Sequence, residues 1–374
     1  MYFNLRKRLF WVLPCLLLLI SCDSEETHQK TKGLQPPFDL SDIQDRVEKP
    51  FTANFKCKET PEPIHDLHFN SMYSKASKNS SEVDQEAYAK YLRDTENIKI
   101  LESQLTVMGN RYLMSWPHRI EIAQCMLNWM DDWAIADGFM GEANHMGEFV
   151  RKWALASISL AFLQIRSEEN LDEDQKIRVK DWIHRLTAQV IADFSRKPEI
   201  NSRNNNHMYW AVWGVANGAV VNNDQEQFNW AMKQAKRAIS HIQMDGTLPT
   251  ELIRGKKAYN YHHYAAIPLF YLAQIAQANG INLYKENDHG LQRLAKRLLL
   301  NIDDQSYFQT LTGKKQDLTR TITYSNLVWL VPYYKEYKDP DALKLLRQFH
   351  PVRHSRVGGN AVFLYGKTKS YEND

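Results

Sequence analysis

Two stretches of the chain carry more reactive side chains than local structure needs. The first runs Arg203-Asn204-Asn205-Asn206-His207-Met208-Tyr209-Trp210, ahead of an apolar run. An asparagine before a helix satisfies free backbone N–H groups. Capping does not require three asparagines, nor a histidine followed by two aromatics. The second opens with Asp245-Gly246-Thr247-Leu248-Pro249, continues through Glu251, Arg254, Lys256 and Lys257, and ends in Tyr259-Asn260-Tyr261-His262-His263-Tyr264. Its cations could hold a carboxylate and its phenols could exchange protons. By composition alone it reads equally well as a solvated basic loop. His262 and His263 invite a metal reading, but adjacent helical positions point about 100° apart and make poor joint ligands. No C-x-x-C or H-E-x-x-H occurs, so neither a metal nor another cofactor is expected.

These stretches sit at the starts of helices. Ile122, Cys125, Met126, Trp129, Met130 and Trp133 recur at three- and four-residue spacings on one face. Residues 150–165 are apolar nearly all round, as in an inner helix, whereas 174–194 carry one apolar stripe, as in an outer one. The same alternation follows with 207–221 and 225–244, with 262–278 and 290–302, and again after Ile322. Only Ala361-Val362-Phe363-Leu364-Tyr365 reads as a strand. The pattern predicts an all-α chain: a stack of antiparallel helix pairs with an inner and an outer ring, an α/α toroid. A plain helical bundle is the alternative, although bundles rarely hold this many helices in one core. Ser71 to Ser81 is small, polar and Ser/Lys-rich, and reads as a mobile loop.

The N-terminus has the layout of an export signal. Arg6, Lys7 and Arg8 precede an apolar run from Leu9 to Ile20, too short to span a bilayer comfortably. It ends in Leu19-Ile20-Ser21-Cys22, which resembles a lipobox and implies acylation of Cys22; an ordinary signal peptide is the alternative. Either way the chain leaves the cytoplasm, and a single lipidated cysteine would tether it in the periplasm without a spanning helix. Residues 1–21 are thus read as signal, 22–55 as tether and extended lead-in, and 56–374 as the globular domain. Loss of the signal brings the formal charge from +3 to about zero, so an anionic partner must be held by a local cluster and not by a global field. No nucleic-acid module is evident, and a monomer is expected. Cys57 and Cys125 remain as an even pair in an oxidising compartment, either a disulfide or two unrelated thiols.

The strings NNHMYW at 205–210 and DGTLPTELIRGKKAYNYH at 245–262 resemble the alginate lyases acting on poly-β-D-mannuronate, the family that includes the periplasmic enzyme of alginate-producing pseudomonads. CMLNWMDDWAIAD at 125–137, NHMGEFVRKWALAS at 144–157 and RVGGNAVFLYG at 356–366 extend the resemblance over most of residues 55–366. It implies an incomplete α/α toroid and a lyase that cleaves an anionic polysaccharide by β-elimination.

Its catalytic positions fall on Asn206, His207, Arg254 and Tyr261. Asn206 and Arg254, helped by His207, would bind the uronate carboxylate and stabilise the charge that builds on it as the C5 proton leaves. Tyr261 would take that proton and return one to O4, with Arg254 lowering its pKa. His207 could act as base from the opposite face, which guluronate would need. Tyr264 matches a substrate-contacting tyrosine. Asn144, His145 and Met146 match a second cluster that usually has threonine for Met146, and Arg356 matches an arginine that could meet a further carboxylate. Where the family often reads Ser-Lys-Tyr, this chain has Ser71-Met72-Tyr73, and Lys75 could supply the missing cation. A related polyuronate such as glucuronan remains open as substrate. So do a glycoside hydrolase using Asp245 and Glu251, and a non-catalytic polymer-binding part of an export complex.

Overall fold

The alternation of apolar and one-striped segments folds as packed helical hairpins. The computed structural model describes residues 1–2, 33–45, 47, 54–73, 82–115, 119–196 and 200–366. The signal segment beyond Tyr2, Cys22, Lys75 and the rest of the 71–81 loop after Tyr73 lie outside the described residues. Leu34 to Asp374 forms one compact unit.

Two short helices come first, α1 (Leu40–Asp45) and α2 (Gln85–Asp94). Hairpins follow: α3 (Glu96–Met114) with α4 (Ile120–Ile135), α5 (His145–Ile165) with α6 (Glu173–Ser195), and α7 (Asn206–Asn222) with α8 (Gln225–Ser240). After the short α9 (Pro249–Leu252), α10 (Ala258–Ala278) pairs with α11 (Glu286–Leu300). After α12 (Ser306–Thr312), α13 (Leu330–Tyr337) pairs with α14 (Pro340–Gln348). Each of α3, α5, α7, α10 and α13 packs on the next in that series, while α4 touches α6 and α8 touches α11 outside them. This is an α/α toroid. Side-chain caps set several helix starts: Asn144, Asp172, Asn205, Asp224 and Asp339 each accept a backbone N–H from the turn that follows.

The inner helices are buried on almost every side, and α5 and α7 carry polar groups inside the core. Buried charges need partners there. Arg151 of α5 finds them in Asp193 of α6 at 2.5 Å and in the carbonyls of Phe139 and Gly141.

The C-terminal segment departs from expectation. Ala361–Tyr365 is a helical turn, α15, and the strands are β1 (Arg353–His354) and β2 (Gly359–Asn360), paired antiparallel ahead of it. The run is buried at four of its five positions, so its sequence has no period to distinguish helix from strand. Asn360 decides the matter locally by accepting the Phe363 N–H as a helix cap. This segment touches α13 at one end and α3 and α5 at the other.

The lead-in is not a free tether along its whole length. Leu34 N–H donates to Asn223, Gln35 exchanges hydrogen bonds with Asn279, and Phe38 and Ile43 are buried. Further on, Cys57 and Cys125 are joined by a disulfide. Trp129 and Trp133 of α4 donate to the carbonyls of Lys58 and Pro61. Leu67 then crosses the start of α5, where a Cβ on Gly147 would lie 1.9 Å from the Leu67 carbonyl oxygen. Only glycine permits that approach, and it delivers Ser71 to Tyr73 to the site described next.

Candidate active site

The candidate residues gather around the first turns of three inner helices. His145 opens α5, Asn206 and His207 open α7, and Tyr261 and Tyr264 lie near the start of α10, with Arg254 just ahead of it. Helix N-termini carry unpaired N–H groups and partial positive charge. Their convergence gives a local preference for anions that does not depend on the net charge of the domain.

Asn206 is fully buried. Its backbone N–H donates to Glu251 Oε1 at 2.8 Å, and its side-chain amide donates to both Glu251 oxygens at 3.0 Å. Its Oδ1 is buried with no partner among the described residues. Both side-chain contacts leave from one nitrogen toward one carboxylate, so they occupy a single N–H direction and the second amide N–H points away from Glu251. Burial raises the Glu251 pKa, opposed by Arg254 and by the Asn206 hydrogen bonds.

His207 is half-buried, its ring stacked on Phe149 at 3.7 Å and 8°. Burial holds its pKa well below the usual histidine range, and Lys152, Arg254, His145 and Arg203 push the same way. The imidazole is therefore neutral at neutral pH.

The Arg254 guanidinium lies 4.3 Å from the centre of the Tyr261 ring. The Tyr261 hydroxyl meets the Tyr73 hydroxyl at 2.6 Å. Arg254 does favour the phenolate, but it does not prevail. Burial, with Tyr73 adding to it, keeps the Tyr261 pKa well above that of a free phenol. The expectation of a lowered pKa fails because partial burial at a helix start outweighs Arg254 and the hydroxyl faces another phenol. One turn on, Tyr264 stands edge-on to Tyr261 at 6.4 Å and accepts a hydrogen bond from Arg356 at 3.1 Å. Arg356 lies over the Trp153 ring at 4.1 Å, near the buried Glu102 at 3.9 Å. Burial pushes the Tyr264 phenol up to about 12 against the pull of Arg356.

A cleft of about 410 Å³ opens beside Tyr261, with Met72 and Tyr73 on one wall and Lys257, Asn260 and Arg320 on another. It places a phenol, cations and amides where an anionic chain could lie.

The alginate lyase family pattern matches residues 68–308. The alginate lyase of Pseudomonas syringae pv. syringae is 38% identical over 327 residues, covering 84% of each chain. That of Pseudomonas aeruginosa (strain PAO1) is 33% identical over 318 residues, covering 83% of this chain and 86% of its own. The chain belongs to the alginate lyase family. The fold agrees: alginate lyase A1-III from Sphingomonas species A1 superposes with a TM-score of 0.76 at 23% identity, over 90% of this chain and 97% of that one. An alginate lyase from Bacteroides ovatus gives 0.65 at 14% identity, over 89% and 99%.

In this family member the outer contacts differ in kind. His145 is exposed, 3.5 Å from Glu148 and 4.5 Å from the Phe149 ring. Met146 and Met72 are half-buried against the core, and Ser71 accepts the Tyr73 N–H. Asn144 is a structural cap that also binds Phe69 O. His262 bridges Ala258 O and Leu248 N–H, and His263 accepts from Trp329 at Nδ1 while its Nε2 is buried with no partner among the described residues. Asp245 is engaged by Thr247 and Tyr307.

Two residues escaped the sequence reading of the site. Glu251 figured there only as a hydrolase carboxylate, whereas it holds Asn206. Lys152 is wholly buried, donates to His207 O and lies within hydrogen-bond distance of His207 Nδ1. Its signal was a lysine inside a run otherwise too apolar to have an exposed face.

Proposed function

We propose that the protein is a lyase of mannuronate-rich alginate, acting in the periplasm from a lipid anchor on Cys22. One observation carries the reading: the Arg254 guanidinium and the Tyr73 hydroxyl flank the same phenol, Tyr261, at the edge of an open cleft, and Arg254 also acts on the neutral His207.

Removing the C5 proton beside a carboxylate concentrates negative charge on that carboxylate. Arg254 and the His207 ring are placed to stabilise it, and they act most strongly where the charge is greatest. The Tyr261 phenolate takes the C5 proton, the C4–O4 bond breaks as the C4=C5 double bond forms, and the Tyr261 hydroxyl then protonates O4. One group can do both because C5–H and O4 share a face in mannuronate. The partly buried phenol is a ready acid in the resting state, and its base half requires the phenolate. The product carries a 4,5-unsaturated uronate at the new non-reducing end.

The anchor rests on Arg6 to Arg8, the apolar run after them and Ser21-Cys22. The test of the activity is incubation with polymannuronate, polyguluronate and glucuronan, followed by ultraviolet absorbance of the unsaturated product. Absorbance with polymannuronate is expected first. New reducing ends without absorbance would mean hydrolysis, and intact polymer bound without cleavage would mean a binding protein.

A further inference from the structure

Lys152 is completely enclosed in α5, and the reaction outlined above makes no use of it. Its Nζ lies 4.7, 5.1 and 5.0 Å from the ring centres of Phe149, Trp153 and Phe194. Packing alone would be served there by leucine or methionine, without the cost of burying a polar amine. Both of its hydrogen bonds go to one residue, to His207 O at 2.7 Å and His207 Nδ1 at 3.1 Å.

In a neutral imidazole the partner of one nitrogen decides which nitrogen keeps the proton. Burial, with Arg356 and Arg203, holds the Lys152 pKa well below that of a free lysine. As ammonium or as amine it gives one hydrogen to His207 O and has a second for Nδ1. Donation there uses the Nδ1 lone pair and leaves the hydrogen on Nε2. The Phe149 stack fixes the ring plane, and the bond to His207 O ties the backbone to the same nitrogen. Nε2 has no protein partner among the described residues and is not among the enclosed atoms, so it faces the open side of this half-buried ring.

We propose that Lys152 is a positioning residue that holds His207 as its Nε2–H tautomer, making it a hydrogen-bond donor to the uronate and denying it the role of base. The proposal rests on the lyase reading and sharpens its substrate class. Elimination from mannuronate needs no second base, because Tyr261 serves both steps. Guluronate presents C5–H on the opposite face, where a base is required, and a nitrogen already carrying hydrogen cannot accept that proton. Lys152 would thus be a determinant of mannuronate preference. The surroundings support a donor role. Around His207 stand the guanidinium groups of Arg203 and Arg254, with Lys152 and His145; the acid Glu148 is already paired with Arg203 at 2.6 Å.

The test uses the full chain labelled with ¹⁵N-histidine, with His207 signals assigned by their loss in His207→Gln. Long-range ¹H–¹⁵N spectra of the wild type near neutral pH should show the Nε2–H pattern. Lys152→Met, which fills the aromatic box without a donor, should show a mixture of tautomers. In that variant the ratio of kcat/KM on polyguluronate to that on polymannuronate should rise about tenfold as a base becomes available. An Nδ1–H pattern in the wild type would overturn the proposal. So would an unchanged ratio in a Lys152→Met protein with native circular dichroism. Should that variant not fold, the wild-type spectrum decides alone. Absence of unsaturated product from every polyuronate with wild-type protein would sink the lyase reading and leave the tautomer assignment standing.

Discussion

Asn206 directs its backbone N–H and its side-chain amide at a single buried carboxylate, that of Glu251. This fixes the first residue of α7, and with it His207 next door. Glu251→Gln keeps the shape but offers one acceptor where there were two, and sets its own amide against that of Asn206. An unsatisfied buried donor costs about 1–3 kcal/mol. The variant should melt lower, and its kcat should fall about tenfold or more with a smaller change in KM, since the misplaced donors act chiefly in the transition state. Wild-type melting together with wild-type kcat would show that Glu251 holds nothing.

The high pKa of Tyr261 makes a prediction about pH. If the phenolate is the base, its fraction in the free protein grows about tenfold per pH unit until the pH nears that pKa. Because burial and Tyr73 hold the pKa well above 10, log kcat/KM should climb with unit slope through the neutral and mildly alkaline range. A plateau already reached near neutrality would rule out phenolate as the reactive form. Tyr261→Phe should lose roughly 10²–10⁴-fold in kcat, the usual worth of a positioned acid–base group.

Tyr73 raises the Tyr261 pKa, both as a second phenol nearby and through the hydrogen bond. Tyr73→Phe removes both effects, so the alkaline limb of the profile should move to lower pH. The measurement is kcat/KM across pH at constant ionic strength. An unmoved limb would mean that Tyr73 closes the cleft without touching the ionisation of its neighbour.

The helical rings were legible because two kinds of long segment alternate along the chain, one apolar all round and one with a single apolar stripe at helical spacing. The last element was not: the run Ala361 to Tyr365 is buried nearly throughout, and burial erases the pattern that separates strand from helix. Among the site residues, Arg254 and Tyr261 stood out because cations and phenols crowd one loop-to-helix passage, and the structure places one over the ring of the other. The direction of the Tyr261 pKa was not readable. Seven residues of sequence separation bring Arg254 near, but they say nothing of the burial that outweighs it. Lys152 was hidden for a related reason: a lysine in an apolar helix usually extends its amine to water. Only the packing shows that its amine turns inward to His207.

Gly147 links the backbone before Tyr73 to the start of α5. An added methyl group would overlap the Leu67 carbonyl oxygen, which accepts the Asn144 N–H while Leu67 N–H donates to Glu142 O. Neither backbone can yield without breaking those bonds. Gly147→Ala should therefore displace the segment that carries Ser71 to Tyr73, raising KM and weakening the effect of a second Tyr73→Phe substitution. Purely additive effects of the two substitutions would show that the crossing at Leu67 does not position Tyr73.

The Cys57–Cys125 disulfide closes a loop with a sequence separation of 68 residues. In the chain-entropy account, its removal costs about 4 kcal/mol through the greater freedom of the unfolded chain. Cys57→Ser combined with Cys125→Ser should lower the urea midpoint accordingly, as should reduction of the wild type. The folded segment keeps other attachments to α4, because the indole N–H groups of Trp129 and Trp133 still hold the Lys58 and Pro61 carbonyls. Activity at room temperature should therefore fall much less than stability. A large loss of kcat at an unchanged urea midpoint would reverse this order, and would mean that the bridge acts on the folded site and not on the unfolded chain.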